Sequence, residues 1–204
     1  HLFRLASVSK TQTSIAIMTL VERGKLSLSD RLFGVGGIFE EEIGTEGLVA
    51  NAEQVTIKHL LEHTSGWSGE HIFTESGSLS GSDVLKRMKY VVRNIPMSYA
   101  LGTKYDYYNM GFGLLGCVIE KISGMGYEEF MQKEIYAPLG VKDIWVGKDL
   151  AGRRENECVY YSQDGKNGYG NDMYLIRSLG GLIASTEDLM KVVAGVDYGD
   201  VVPD

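Results

Sequence analysis

The stretch Phe3-Arg4-Leu5-Ala6-Ser7-Val8-Ser9-Lys10, continuing through Ile15-Ala16-Ile17-Met18 to Gly24, decides how the rest of the chain is read. From about Ser7 to Arg23 the pattern predicts one helix, closed by Gly24 as its C-cap. Ile15, Ala16, Ile17, Met18, Leu20 and Val21 leave little polar face, and a helix that is apolar almost all round belongs in an interior. Ser7 and Lys10 stand at its start, three residues apart, so their side chains share a face and can reach each other. A serine hydroxyl is a poor nucleophile until a base takes its proton. Burial and the positive end of a helix both disfavour the ammonium form of a lysine placed there, leaving an amine able to act as that base. The same helix start offers the backbone N–H of Ser7 to a developing oxyanion. Taken alone, Ser-x-x-Lys is more often a capping serine followed by a surface lysine. Ser9 adjoins Lys10 but points elsewhere on the helix.

Outward from this segment the chain reads as mostly helical. Leu26 to Asp30 lead to a Gly-rich, acidic loop over about 34–47, in which Glu40 to Glu42 read as a solvated turn. Helices are predicted over about 56–62, from Ser82 or Asp83 to Arg93, over 110–123 before Gly124, over 127–136 before Pro138, and from Ser185 or Thr186 to Val193. Residues 68–81 are rich in Ser and Gly and read as a loop. Residues 148–175 are polar and Tyr-rich, with Asp164-Gly165 as a candidate hairpin turn between short strands. No repeat and no linker divides the chain, so residues 1–204 read as one domain.

A second group of polar residues is Tyr107-Tyr108-Asn109. Tyr107 and Asn109, two apart, project to one side of an extended segment. A phenol beside a lysine can share its proton, and an Asn amide offers a donor and an acceptor to a substrate amide. By itself the triplet is a weak signal, and a Tyr-rich turn before a helix is its ordinary reading. His59 and His63 have the i, i+4 spacing of a metal pair. No third ligand is evident, so the residues call for no metal and no cofactor, and hydrogen bonding of His63 within its own turn is the expected use. No strong histidine candidate accompanies an obvious serine, so a Ser-His-Asp triad has little support.

Composition narrows the partners. With 27 acidic against 20 basic residues, a net charge of −7 and no Lys/Arg cluster, the surface suits neither nucleic acid nor an anionic membrane. No run of eighteen apolar residues is present to form a membrane span. Cys117 and Cys158 lack CxxC spacing, and Cys117, in an apolar stretch, reads as a buried free thiol.

Several segments together resemble the serine β-lactamase and penicillin-binding-protein family. They are Phe3 to Lys10 with Glu22-Arg23-Gly24-Lys25-Leu26, then Thr56 to Gly66, then Gly102-Thr103-Lys104-Tyr105 through Asn109 and Leu114-Leu115-Gly116. Pro138-Leu139-Gly140 and Gly180-Gly181-Leu182 to Leu189 follow in the same order. Ser-x-x-Lys is a signature of that superfamily, and Tyr-x-Asn in second place is similar to its class C β-lactamase, D,D-peptidase and esterase branch. The resemblance implies an α+β, β-lactamase/D,D-peptidase-like fold, here the helical lobe with much of the antiparallel sheet missing. It implies an acyl-enzyme at Ser7, with Lys10 and Tyr107 relaying its proton and Asn109 holding the substrate amide or Lys10. The expected substrate is a β-lactam, a D-Ala-type peptide of the peptidoglycan kind, or a small ester; the alternative is a penicillin-recognising module or an inactive fragment. A Lys/His-x-Gly third motif and the strands before the nucleophile helix, which the family carries, are not in the sequence. A nucleophile helix with its sheet removed would expose a large apolar face, so the expectation is a longer parent, or a partner chain that supplies the cover. The resemblance also points to the cell envelope or secretion, with the cytoplasm left open.

Overall fold

Leu182-Ile183-Ala184, three consecutive buried residues, form the middle strand of a three-stranded antiparallel sheet. The structure, a computed structural model, describes residues 1–74, 81–165 and 168–197. Its chain divides into two compact units, one of His1–Thr19 with Ile119–Asp204 and the other of Leu20–Val118.

In the first unit, β1 (Phe3–Arg4) and β2 (Ile144–Val146) flank β3 (Leu182–Ala184), in the order β1-β3-β2. Phe3 lies opposite Ala184, and Trp145 opposite Ile183. A buried strand between two others needs side chains on both faces to be apolar, and this one supplies them. β1 runs into a 3-10 turn, Ala6–Val8, and then into α1, Ser9–Glu22. The predicted start at Ser7 is therefore two residues early: the first turn is the tighter kind, common at helix N-termini. Ser9 is buried, and its hydroxyl accepts the backbone N–H of Leu182 at 3.2 Å. Thr13 Oγ1, one turn on, donates to the Ser178 carbonyl at 2.6 Å. Polar residues on the buried helix thus tie it to the segment entering β3. Of α1, only Thr11 and Glu22 are exposed, so the broad bare apolar face expected of the nucleophile helix is not found on it.

The remaining elements of this unit follow the sequence with two departures. The helix predicted over 127–136 is a short α-helix, Tyr127–Phe130, that continues as a wide π-helical stretch, Met131–Tyr136. Asp164-Gly165 does turn, with the N–H of Gly165 on the Ser162 carbonyl, but no strand ladder flanks it among the described residues, of which 166–167 are not part. A parallel bridge from Leu2 to Glu157 and an Arg4 Nη1 bond to the Gly168 carbonyl at 2.7 Å fasten that polar segment to β1 instead.

In the second unit, Phe33, Phe39, Trp67, Ile57 and Leu60 are wholly or almost wholly buried, and Trp67 meets Phe33 edge-on at 6.3 Å. The acidic run Glu40 to Glu42 forms the first turn of a one-turn helix, Glu40–Ile43, that buries Ile43. Thr56 caps the helix Ile57–Leu61 in a capping box whose returning group is the His59 ring, Nδ1 accepting the Thr56 N–H at 3.2 Å. Asp83 caps Val84–Asn94. That helix buries Arg87, whose guanidinium gathers the carbonyls of Gly81 and Thr74. The rest of the predicted loop over 68–81, residues 75–80, lies outside the described residues. The helix Asn109–Ser123 begins in this unit and is buried from Met110 to Ile119. Neither cysteine forms a disulfide, and Cys117 is buried. No described helix is long and apolar enough to cross a membrane.

Candidate active site

Ser7 sits on the 3-10 turn between β1 and α1, exposed to solvent. The residue before it, Ala6, has φ +46°, a left-handed conformation that costs a residue with a β-carbon roughly 1–2 kcal/mol. Strain of this kind is held where the surroundings over-determine it. Here the N–H of Leu5 is bound to the Leu182 carbonyl on one side, and Ser9 to the Leu182 N–H on the other. The turn is pinned at both ends, and Ser7 within it is an exposed residue.

Lys10 is 6% exposed, and its Nζ lies 3.1 Å from Ser7 Oγ and 2.8 Å from the Leu179 carbonyl oxygen. The spacing that suggested a shared face therefore brings the two side chains into hydrogen-bonding distance. The Leu179 carbonyl was not legible as a site group. It comes from the segment before Gly180-Gly181, 169 residues away along the chain, and a backbone oxygen leaves no mark in side-chain identity.

Tyr107 and Asn109 belong to the second unit, where three side chains hold the Tyr-Tyr-Asn triplet. His63 is buried and itself left-handed, at φ +55°. Its Nδ1 accepts the backbone N–H of Tyr108 at 3.0 Å, and its ring stacks on Tyr107 at 4.6 Å and on Phe112 at 5.0 Å. His71 Nδ1 meets the Tyr108 hydroxyl at 2.9 Å. Burial holds His71 below the usual imidazole range against the opposing charge of Glu70, and it pushes the Tyr108 phenol far up. Glu70 takes the Asn109 amide, with Nδ2 at 3.1 Å from one carboxylate oxygen and 3.4 Å from the other. Tyr107 is 40% exposed, so of the triplet it is the first tyrosine that faces solvent and the second that serves the core.

The i, i+4 histidines are thus occupied separately, His59 in the Thr56 cap and His63 under Tyr108. No group of three His, Cys, Asp or Glu side chains able to hold a metal occurs among the described residues. Sequence reasoning reached His63 as a structural residue of its turn; its ring in fact reaches 45 residues ahead, to Tyr108. Glu70 and His71 were missed, because one acidic residue in a Ser/Gly-rich loop carries no pattern.

A model of the β-lactamase family matches residues 1–203. The chain belongs to the β-lactamase family. It is 30% identical over 145 residues to an N-acetylmuramyl-L-alanine amidase of Bacillus subtilis, covering 69% of this chain and 32% of that protein. To a β-lactamase of Escherichia coli it is 30% identical over 168 residues, covering 79% of this chain and 41% of the other. Among solved structures, the octameric penicillin-binding protein homologue from Pyrococcus abyssi superposes with a TM-score of 0.74 at 29% identity, over 99% of this chain and 46% of that one. The chain therefore spans less than half the length of these relatives. The family is one of serine hydrolases and penicillin-binding proteins, and the fold is the β-lactamase type, represented here mostly by helices and a small antiparallel sheet.

Proposed function

We propose that Ser7 is the nucleophile of a serine hydrolase that works through an acyl-enzyme, with Lys10 as its base. The observation that carries this is the 3.1 Å approach of Nζ of the buried Lys10 to Oγ of Ser7, itself an exposed residue. An exposed hydroxyl can meet a substrate carbonyl, while a buried amine beside it exchanges protons with little competition from water.

In this reading Lys10, uncharged, accepts the Ser7 proton as Oγ attacks the carbonyl carbon. The proton passes through Tyr107 to the leaving nitrogen or oxygen as the scissile bond breaks. Water then attacks the acyl-enzyme, gives up a proton to the same pair, and releases the acid and the Ser7 hydroxyl. Asn109 holds the amide of the acyl side chain. The substrates are β-lactams, D-Ala-type peptides or small esters, all of which present a carbonyl joined to a leaving group. Support for the roles of Tyr107 and Asn109 comes from their place in the family's motif order and from their fixed settings against His63 and Glu70.

The test is labelling with a fluorescent penicillin and a fluorophosphonate, followed by peptide mapping and a turnover assay. Modification at Ser7 with release of product is expected. Stable modification without turnover identifies a penicillin-recognising module instead, and no modification at Ser7 overturns both.

A further inference from the structure

The loop that follows β2 brings three cations to one hollow. Lys148, Arg153 and Arg154 line a cavity of about 240 Å3 together with Val146 of β2 and Ile183 of β3, and among the described residues Glu157 is the acidic member of its lining. All of them belong to the first unit. None of the three cations forms an ion pair with a carboxylate among the described residues. Asp149, beside Lys148, instead accepts the N–H of Gly152 at 2.8 Å. In a chain of net charge −7, cations gathered in a hollow without carboxylate partners concentrate positive potential there.

The loop is fastened behind the cavity. Leu2 donates to the Asn156 carbonyl at 2.9 Å and accepts the N–H of Cys158 at 3.0 Å. Glu157 Oε2 accepts the backbone N–H of Arg154 at 3.2 Å, so this carboxylate serves the loop's own backbone. Arg153 Nη1 donates to the Arg154 carbonyl at 3.2 Å and to the Glu157 carbonyl. The Arg154 guanidinium lies 3.8 Å from the centre of the Trp145 ring and makes no hydrogen bond among the described residues. A guanidinium laid against an aromatic ring loses freedom, yet it keeps its planar fork of N–H donors for a ligand.

Size and charge select that ligand. The cavity lies below the roughly 300–1,000 Å3 of ordinary small-molecule pockets, so its occupant is small. Three cations against one carboxylate leave two positive charges, which a phosphate group, close to a dianion at neutral pH, balances and a monocarboxylate does not. The arginine fork matches two phosphate oxygens, and a lysine adds a point charge. We infer that the hollow between β2, β3 and residues 148–157 binds a phosphate group, with Arg154 as its two-donor contact and Lys148 and Arg153 beside it.

Calorimetric titration of the full chain with inorganic phosphate at low salt tests this, with the Arg154 Nε–H resonance of 15N-labelled protein followed in parallel. Saturable binding that moves the resonance is expected. Arg154→Gln weakens binding about tenfold or more, and Arg154→Lys, which restores the charge without the fork, recovers part of the loss. Lys148→Gln, at an exposed position with little packing to lose, weakens it in the same direction. Lys25→Gln, which removes an exposed cation outside the cavity, leaves it within about twofold. Acetate binds several-fold more weakly than phosphate. Glycerol 3-phosphate distinguishes the source: binding at least as tight as inorganic phosphate assigns the site to a phosphate carried on a small molecule, and weaker binding assigns it to free phosphate. No binding to the wild-type chain, acetate as tight as phosphate, or wild-type affinity in both Arg154→Gln and Lys148→Gln overturns the inference.

Discussion

Lys10 Nζ donates to the Leu179 carbonyl oxygen at 2.8 Å, so the amine beside Ser7 is aimed by a backbone group from the far end of the chain. The base role proposed for Lys10 asks that a long, flexible side chain lose its free rotations, and this bond restricts them without adding a charge. Lys10→Met keeps the volume and loses the nitrogen. Acylation of Ser7 by a fluorescent penicillin is expected to slow about a hundredfold or more, followed by intact-mass spectrometry. The unfolding midpoint falls only modestly, because one backbone acceptor loses its partner. Acylation at the wild-type rate would remove Lys10 from the mechanism.

The segment that supplies Leu179 depends on one glycine and not on its neighbour. A β-carbon on Gly181 would lie 2.6 Å from the Met173 carbonyl oxygen and 2.8 Å from Arg177 Cα, both backbone atoms with no freedom to yield. On Gly180 the nearest atoms are those of Ala6 at 3.8 Å, ordinary contact. Gly181→Ala is expected to cost about 1–3 kcal/mol and to slow Ser7 acylation as well, since the chain must shift next to the Lys10 anchor. Gly180→Ala stays near wild type in both. Urea unfolding and the labelling rate, measured on both variants, check the pair.

What the sequence made legible, and what it did not, follows from the range of the forces involved. Helices capped by Thr56 and Asp83 could be placed within a residue or two, because a cap is a contact between near neighbours. The pairing of Ser7 with Lys10 was legible for the same reason, being three residues apart on a helical turn. The π-helical stretch after Phe130 was not, since its wider turns are imposed by packing and carry no residue signature. Nor was the partner of Asp164-Gly165: a turn residue specifies a reversal, not whether strands pair on either side of it. Leu179 beside Lys10 in the first unit, and His63 beside Tyr107 and Glu70 beside Asn109 in the second, are each distant along the chain from the residue they hold, and only folding brings each pair together.

Two buried tyrosines of the first unit differ in one respect that stability can read. The Tyr136 hydroxyl is buried and has no hydrogen-bond partner among the described residues, and burial drives its phenol well above the ordinary range. The Tyr127 hydroxyl lies 2.8 Å from Thr13 Oγ1. Removing an unpaired buried hydroxyl relieves its desolvation cost, whereas removing a paired one loses about 1 kcal/mol. Tyr136→Phe is therefore expected to be neutral or stabilising by up to about 1 kcal/mol, and Tyr127→Phe destabilising by a similar amount. Urea titrations of the two variants should move in opposite directions or, at the least, differ in that order.

Asp188 sets a pH limit on the last helix, Thr186–Asp197. Burial pulls its carboxyl upward, but the Lys191 ammonium at 2.6 Å and the backbone N–H groups of Asp143 at 2.7 Å and Lys142 at 3.2 Å outweigh that and hold it below the ordinary carboxylate value. Its place in the first helical turn, where the helix dipole favours negative charge, works in the same direction. A carboxyl depressed in the folded state binds its proton more weakly there than in the unfolded chain. Its stabilisation is thus complete above the unfolded value near about pH 4 and is lost as pH falls through the folded value. Asp188→Asn keeps an acceptor for the N–H groups but loses the charge that pairs with Lys191. The variant is expected to be less stable than wild type at neutral pH, with the gap closing below about pH 4. Urea midpoints measured from about pH 3 to about pH 7 give the comparison; a gap that stays constant across that range would show that Asp188 acts through shape alone.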